Sequence, residues 1–135
     1  MKRISYAQSL LFNEPNSPQL VLDFIKDGEC LCDGAQLLML DLENALELVE
    51  IYTHKFPLCE EAELKLFELE NAKDVIGEYI EYYPFFHEAE LKLVELQDAD
   101  DLIRNYLLKH AVSEAVQKKL IGLGKFNLLK KYVTG

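Results

Sequence analysis

The chain is short of positive charge, of cysteine and of long apolar runs, and each shortage removes a class of function. Its 135 residues hold 14 Lys and Arg against 24 Asp and Glu, a net charge of −10. Binding to DNA or RNA backbones is driven by Lys/Arg neutralisation of phosphates, so no nucleic-acid partner is expected. The three cysteines, Cys30, Cys32 and Cys59, are odd in number and contain no CxxC pair, which does not read as a disulfide framework. The longest uninterrupted apolar run, Leu37 to Leu40, is far below the length that spans a bilayer, and no membrane partner is expected. Lys2 and Arg3 begin the chain, but Gln8, Ser9, Asn13, Glu14 and Pro15 break the apolar stretch that a signal peptide would need. A reduced, cytoplasmic protein is the expectation. The six glycines are scattered and make no phosphate-cradling loop. Gly122-Leu123-Gly124 is a lone GxG without a preceding strand pattern, so no nucleotide cofactor is expected.

Half of the residues are apolar, enough for one domain with a real core and too many for disorder. Chains of this size bury roughly two thirds of their unfolded surface. No strand-type alternation bounded by hairpin turns is present. The informative feature is self-similarity. Ala62-Glu63-Leu64-Lys65-Leu66-Phe67-Glu68-Leu69 recurs as Ala89-Glu90-Leu91-Lys92-Leu93-Val94-Glu95-Leu96, an offset of 27 residues. The same phase reaches back to Ala35, Leu37, Leu40 and Leu42. Further along each unit it aligns Ala45, Ala72 and Ala99, then Leu48, Val75 and Leu102, then Val49, Ile76 and Ile103, then Tyr52, Tyr79 and Tyr106. Units at 32–58, 59–85 and 86–112 are clear, and weaker units at 5–31 and 113–135 complete a single domain over 1–135. Degenerate end units suit a stack whose ends face water.

Each unit reads as two short helices. Ala72, Val75, Ile76 and Tyr79 fall at i, i+3, i+4 and i+7, one face of a helix. Ser17, Asn44, Asn71 and Asp98, each 27 residues from the next, are capping types placed to accept from the first-turn N–H groups of the second helix. Pro18 suits a first helical position. In the first helix, Ala62, Leu64, Leu66, Phe67 and Leu69 leave one polar stripe of Glu61, Lys65 and Glu68. That pattern predicts a first helix packed on most sides and a second helix half exposed. Pro57, Pro84 and Asp27-Gly28 mark stops.

This pattern resembles short helical-hairpin repeats of the HEAT-like and leucine-rich-repeat-variant kind. The resemblance rests on the Ala/Leu phase, the Asn/Asp column and the Tyr column, and covers nearly the whole chain. It implies an all-α fold, an α-α superhelix (solenoid) of about five 27-residue hairpins, and a binding surface built from successive units.

Cys30, Cys32, His54, Cys59 and His87 could supply metal ligands, but the repeat separates them onto different layers, and no metal site is expected. Cys32 and Cys59 share a column with Phe86 and read as apolar residues where one hairpin meets the next. Abundant carboxylates in an acidic helical chain are not an acid/base pair, and the chain reads as a non-enzyme without catalytic residues. The Tyr column reads as a core edge with its hydroxyls in water. Tyr82 aligns with Lys55 and Lys109, so it is expected outside. Glu61–Lys65, Glu88–Lys92 and Glu114–Lys118 are favourable i,i+4 pairs on a solvated face.

The charges are also segregated: residues 41–101 carry a net −14 and residues 102–135 a net +6. The expected function is that of a protein-interaction scaffold with a basic protein partner, touched by Glu47, Glu50, Asp74, Glu78, Glu81, Tyr82, Asp101 and Arg104 on the second helices. The alternative is an immunity-protein or antitoxin-like inhibitor that turns the acidic face to a basic target. The basic end, with Lys118, Lys119, Lys125, Lys130 and Lys131 beside Leu120, Leu123, Leu128 and Leu129, is expected to give a monomer with weak self-association at low salt.

Overall fold

The computed structural model describes residues 6–129. Among them every regular element is a helix: α1 (Tyr6–Ser9), a 3-10 turn (Leu10–Phe12), α2 (Ser17–Lys26), α3 (Asp33–Met39), α4 (Ala45–Thr53), α5 (Glu60–Leu66), α6 (Lys73–Tyr82), α7 (His87–Glu95), α8 (Asp100–Lys109) and α9 (Glu114–Gly122). Among the described residues, no helix is long and apolar enough to cross a membrane.

The helices pack as two rows. In one, α2 meets α4, α4 meets α6 and α6 meets α8; in the other, α3 meets α5, α5 meets α7 and α7 meets α9. Buried between them are Met39, Leu66, Leu93, Val116 and Leu120 from the first row, that of α3, α5, α7 and α9, and Val21, Leu48, Val49, Ile76 and Ile103 from the second, that of α2, α4, α6 and α8. Each such side chain stabilises the fold by roughly 1.5–3 kcal/mol relative to exposure.

The 27-residue phase is visible in the backbone. Helices α3, α5, α7 and α9 begin at Asp33, Glu60, His87 and Glu114. The preceding residues, Cys32, Cys59, Phe86 and Ser113, are all extended, with ψ between 161° and 165°. Cys32 and Cys59 therefore do stand at the entry to a new helix. Gly28, at φ 85°, lies just beyond the end of α2, in a region that costs glycine nothing.

Four expectations change. The column Ser17, Asn44, Asn71 and Asp98 does not cap the second helices. Ser17 lies inside α2, with Asn16 before it. Asn44 precedes α4, but its side chain donates to the Pro18 carbonyl at 3.4 Å instead of accepting from the helix. Asn71 and Asp98 adopt φ of 60° and 54° and turn the chain into α6 and α8. Asn and Asp recur there because they tolerate the left-handed region better than other side chains with a Cβ. The side chain that does cap is Ser113, which accepts from the Val116 N–H at 3.3 Å.

The first-row helices are not packed on most sides. In α5 only Ala62, Glu63 and Leu66 are buried, while Leu64 is half-buried; Leu91 in α7 is likewise half-buried. The Tyr column is not a wet edge: Tyr52, Tyr79 and Tyr106 are among the most deeply buried side chains. At the C-terminal end Leu120, Leu128 and Leu129 are covered and only Leu123 of that group is exposed.

Candidate interaction surface

Two of the second-row helices, α4 and α6, carry acidic side chains on the surface. In α6, Asp74, Glu78 and Tyr82 are four residues apart and share a stripe. In α4 stand Glu47 and Glu50, with His54 just past its end. All of these side chains are exposed. Among the described residues the carboxylates of Glu47, Glu50, Asp74 and Glu78 have no hydrogen bond or ion pair. Tyr82 is 57% exposed, as its column predicted, and its ring meets His54 edge-on at 5.9 Å. A second contact, with Tyr83 at 6.2 Å, joins it to the buried rings. The aromatic pair thus bridges the C-terminal ends of α4 and α6.

The remaining sequence-predicted residues are exposed but already engaged. Glu81 accepts from Lys109 at 2.9 Å and from Asn105 at 3.0 Å, and Lys109 holds its carboxyl below the usual range. Asp101 and Arg104 pair with each other at 3.3 Å.

Pairing also accounts for much of the charge segregation. Every basic side chain of 102–129 meets a carboxylate: Arg104 with Asp101, Lys109 with Glu81, Lys118 with Glu114, Lys119 with Glu95, and Lys125 with Asp100. Three of the five reach back into the unit before their own. Lys125 further donates to the carbonyls of Val94 and Leu96, at the end of α7. Lys130 and Lys131 lie outside the described residues. Of the i,i+4 pairs, Glu114–Lys118 forms at 3.1 Å, whereas Lys65 turns back to Asp41 at 2.6 Å and to the Leu37 carbonyl.

Beneath this face lies a ladder that sequence reasoning missed. The Tyr52, Tyr79 and Tyr106 hydroxyls accept from the backbone N–H groups of Leu31, Leu58 and Phe85 at 3.1, 3.1 and 2.9 Å. Each hydroxyl also meets a side chain sixteen residues earlier. Tyr79 donates to Glu63 Oε2 at 2.6 Å and Tyr106 donates to Glu90 Oε2, while Gln36 Nε2 donates to Tyr52 at 3.4 Å. The remaining terminal oxygen of Gln36 and of Glu63 reaches the next unit: Gln36 Oε1 accepts from Cys59 N–H at 2.8 Å and Glu63 Oε1 from Phe86 N–H at 2.9 Å. Gln8 Oε1 does the same for Cys32 N–H at 2.8 Å. The signal was present: Gln36, Glu63, Glu90 and Gln117 are 27 residues apart within the apolar arc.

Glu63 and Glu90 are 1% and 7% exposed. Burial pushes the Glu63 carboxyl up to about 7 and raises that of Glu90, against the lowering effect of their tyrosine hydrogen bonds. Burial likewise raises the three phenols. A hollow of about 360 Å³ opens beside Glu63, lined by Pro57, Tyr79, Tyr83, Pro84 and Phe86. Among the described residues no group of His, Cys, Asp and Glu is placed to hold a metal ion. Comparison with protein-family models, curated proteins and solved structures finds no match.

Proposed function

We propose that the chain is a non-enzymatic protein-interaction module, an α-solenoid of about five 27-residue helical hairpins that binds a basic protein partner on its second-row face. The observation that carries this reading is the set of unpaired, exposed carboxylates Glu47, Glu50, Asp74 and Glu78 beside the exposed Tyr82. In a chain that pairs each described Lys and Arg after residue 101, these four are the carboxylates left open on that face. Lys and Arg of a partner gain charge complementarity there, and a cation over the Tyr82 ring adds about 0.5–1 kcal/mol at an exposed site. The two rows of helices give the extended, stacked surface that such modules use. The chain itself is expected to be monomeric, with self-association confined to low salt, which sedimentation at two ionic strengths would measure.

The test is a comparison of baits in a native-host lysate. The variant Glu47→Lys, Glu50→Lys, Asp74→Lys, Glu78→Lys should lose a basic partner that the natural chain captures. A control with Glu61→Lys and Glu88→Lys, on the other row, should keep it. Retention of every partner by the first variant, with its melting temperature unchanged, would remove this face from consideration. An inhibitor would be distinguished by one tight partner whose association slows steeply with salt.

A further inference from the structure

We propose that Glu63 makes the seam between units 59–85 and 86–112 proton-responsive, with Glu90 a weaker responder one unit on: the seam tightens when the carboxyl takes up a proton and loosens when it is ionised. The argument begins with Gln36, which occupies the equivalent place one unit earlier. Its amide splits the work between one acceptor and one donor. Oε1 accepts from Cys59 N–H at 2.8 Å, while Nε2 donates to the Leu31 carbonyl at 3.1 Å and to Tyr52 at 3.4 Å. Tyr52 is in turn within 3.4 Å of the Leu31 carbonyl, to which it donates. Gln117 repeats the backward bond, donating to the Val112 carbonyl at 3.4 Å.

A protonated carboxyl has the same pattern as an amide, one acceptor oxygen and one donor. Protonated Glu63 can keep Phe86 N–H on Oε1 and donate from Oε2, freeing the Tyr79 hydroxyl to turn to the Leu58 carbonyl as Tyr52 turns to Leu31. Ionised Glu63 has no proton to give and holds a negative charge in a site that is 1% exposed. Two hydrogen bonds, from Tyr79 and Phe86, offset that cost in part.

The surroundings do little to favour the charge on Glu63. Tyr79 faces it from α6, Glu60 acts from its own helix and Glu90 from α7, the latter two by repulsion. From α3 the residue that reaches the start of α5 is the neutral Gln36. Around Glu90 stand Tyr106 from α8, His110 just past its end, His87 from its own helix and Glu63 from α5. The cations of α9 are committed elsewhere, Lys118 to Glu114 and Lys119 to Glu95. The two histidines favour ionised Glu90, so Glu63 is the stronger responder. Its carboxyl, raised from 4.5 to about 7, places the response near neutrality. The sign follows from linkage. A carboxyl raised in the folded state contributes stability that is full below its unfolded value and is lost as pH rises through about 7.

Two measurements on the full chain test this. Melting temperatures of the natural chain, Glu63→Gln and Glu90→Gln are compared at pH 4.5 and pH 8. Subtracting the natural chain from each variant cancels the general effect of net charge. Glu63→Gln should melt several degrees higher than the natural chain at pH 8 and alike at pH 4.5, with a smaller gain for Glu90→Gln. An equal difference at both pH values, or a loss at pH 8, would overturn the proposal. A carboxyl NMR titration of the natural chain needs no variant. A Glu63 midpoint above 6 is expected, and one below 5 would overturn it.

Discussion

Tyr79 and Glu63 lie sixteen residues apart and are joined by a 2.6 Å hydrogen bond from the phenol to the buried carboxyl, while the same phenol accepts from Leu58 N–H. One hydroxyl therefore holds one oxygen of a buried carboxyl and a loop N–H that would otherwise each be buried without a partner.

Tyr79→Phe should accordingly cost about 1–3 kcal/mol, the range for leaving a buried polar group unsatisfied, although the ring volume is kept. Tyr83→Phe, at a half-buried ring, should lie within about 0.5 kcal/mol of the natural chain. Denaturant titrations of the two variants check the contrast, and equal effects would mean the ladder is dispensable.

Leu66 and Leu93 are fully buried between the rows. Truncation of either to Ala should cost about 2–5 kcal/mol by opening a cavity. Leu64→Ala and Leu91→Ala, at half-buried positions, should cost visibly less. Glu47→Ala should remain within about 0.5 kcal/mol. A series of urea midpoints at constant slope orders them.

Asn71 and Asp98 carry positive φ, so the space around them matters less than the backbone itself. Asn71→Ala and Asp98→Ala should each destabilise by about 1–2 kcal/mol, the cost of a Cβ in the left-handed region. The Gly replacements should be nearly neutral. If Ala proves as good as Gly, these residues are not held in that conformation in solution.

Gly77 sits inside α6, where a Cβ would approach Leu102 Cδ2 at 3.1 Å. Leu102 is half-buried and its terminal methyl can shift by a few tenths of an ångström. The gain in helix propensity, up to about 1 kcal/mol, should outweigh that adjustment. Thermal melting of Gly77→Ala should show a modest rise; a fall would mean that Leu102 is locked.

The parts of this molecule written in apolar periodicity were legible from residues alone. The Leu48, Val49, Ile76 and Ile103 positions and the exposure of Tyr82 followed from spacing. What was not legible depended on where polar groups point. Asn71 and Asp98 looked like caps because capping and left-handed turns select the same short polar side chains. Glu63 and Glu90 were given no role because a carboxylate carries no sign of burial until its tyrosine partner is placed against it. Tyr52, Tyr79 and Tyr106 were put at a wet edge for the same reason, since the loop N–H groups that receive their hydroxyls come from residues 21 positions earlier. The open carboxylates of α4 and α6 could be named as exposed, but not told apart from Glu81 and Asp101, whose neighbours neutralise them.

The ladder of Gln36, Glu63 and Glu90 also limits how such a chain can lengthen. Gln36 and Glu63 each bond a tyrosine of their own unit and accept from a backbone N–H of the next, so a tandem duplication of residues 59–85 would leave every donor opposite an acceptor. A segment one residue longer or shorter would swing each following helix face by about 100° and carry the rung out of reach of the loop it must hold. Change by whole 27-residue segments should therefore be tolerated where a single inserted codon is not.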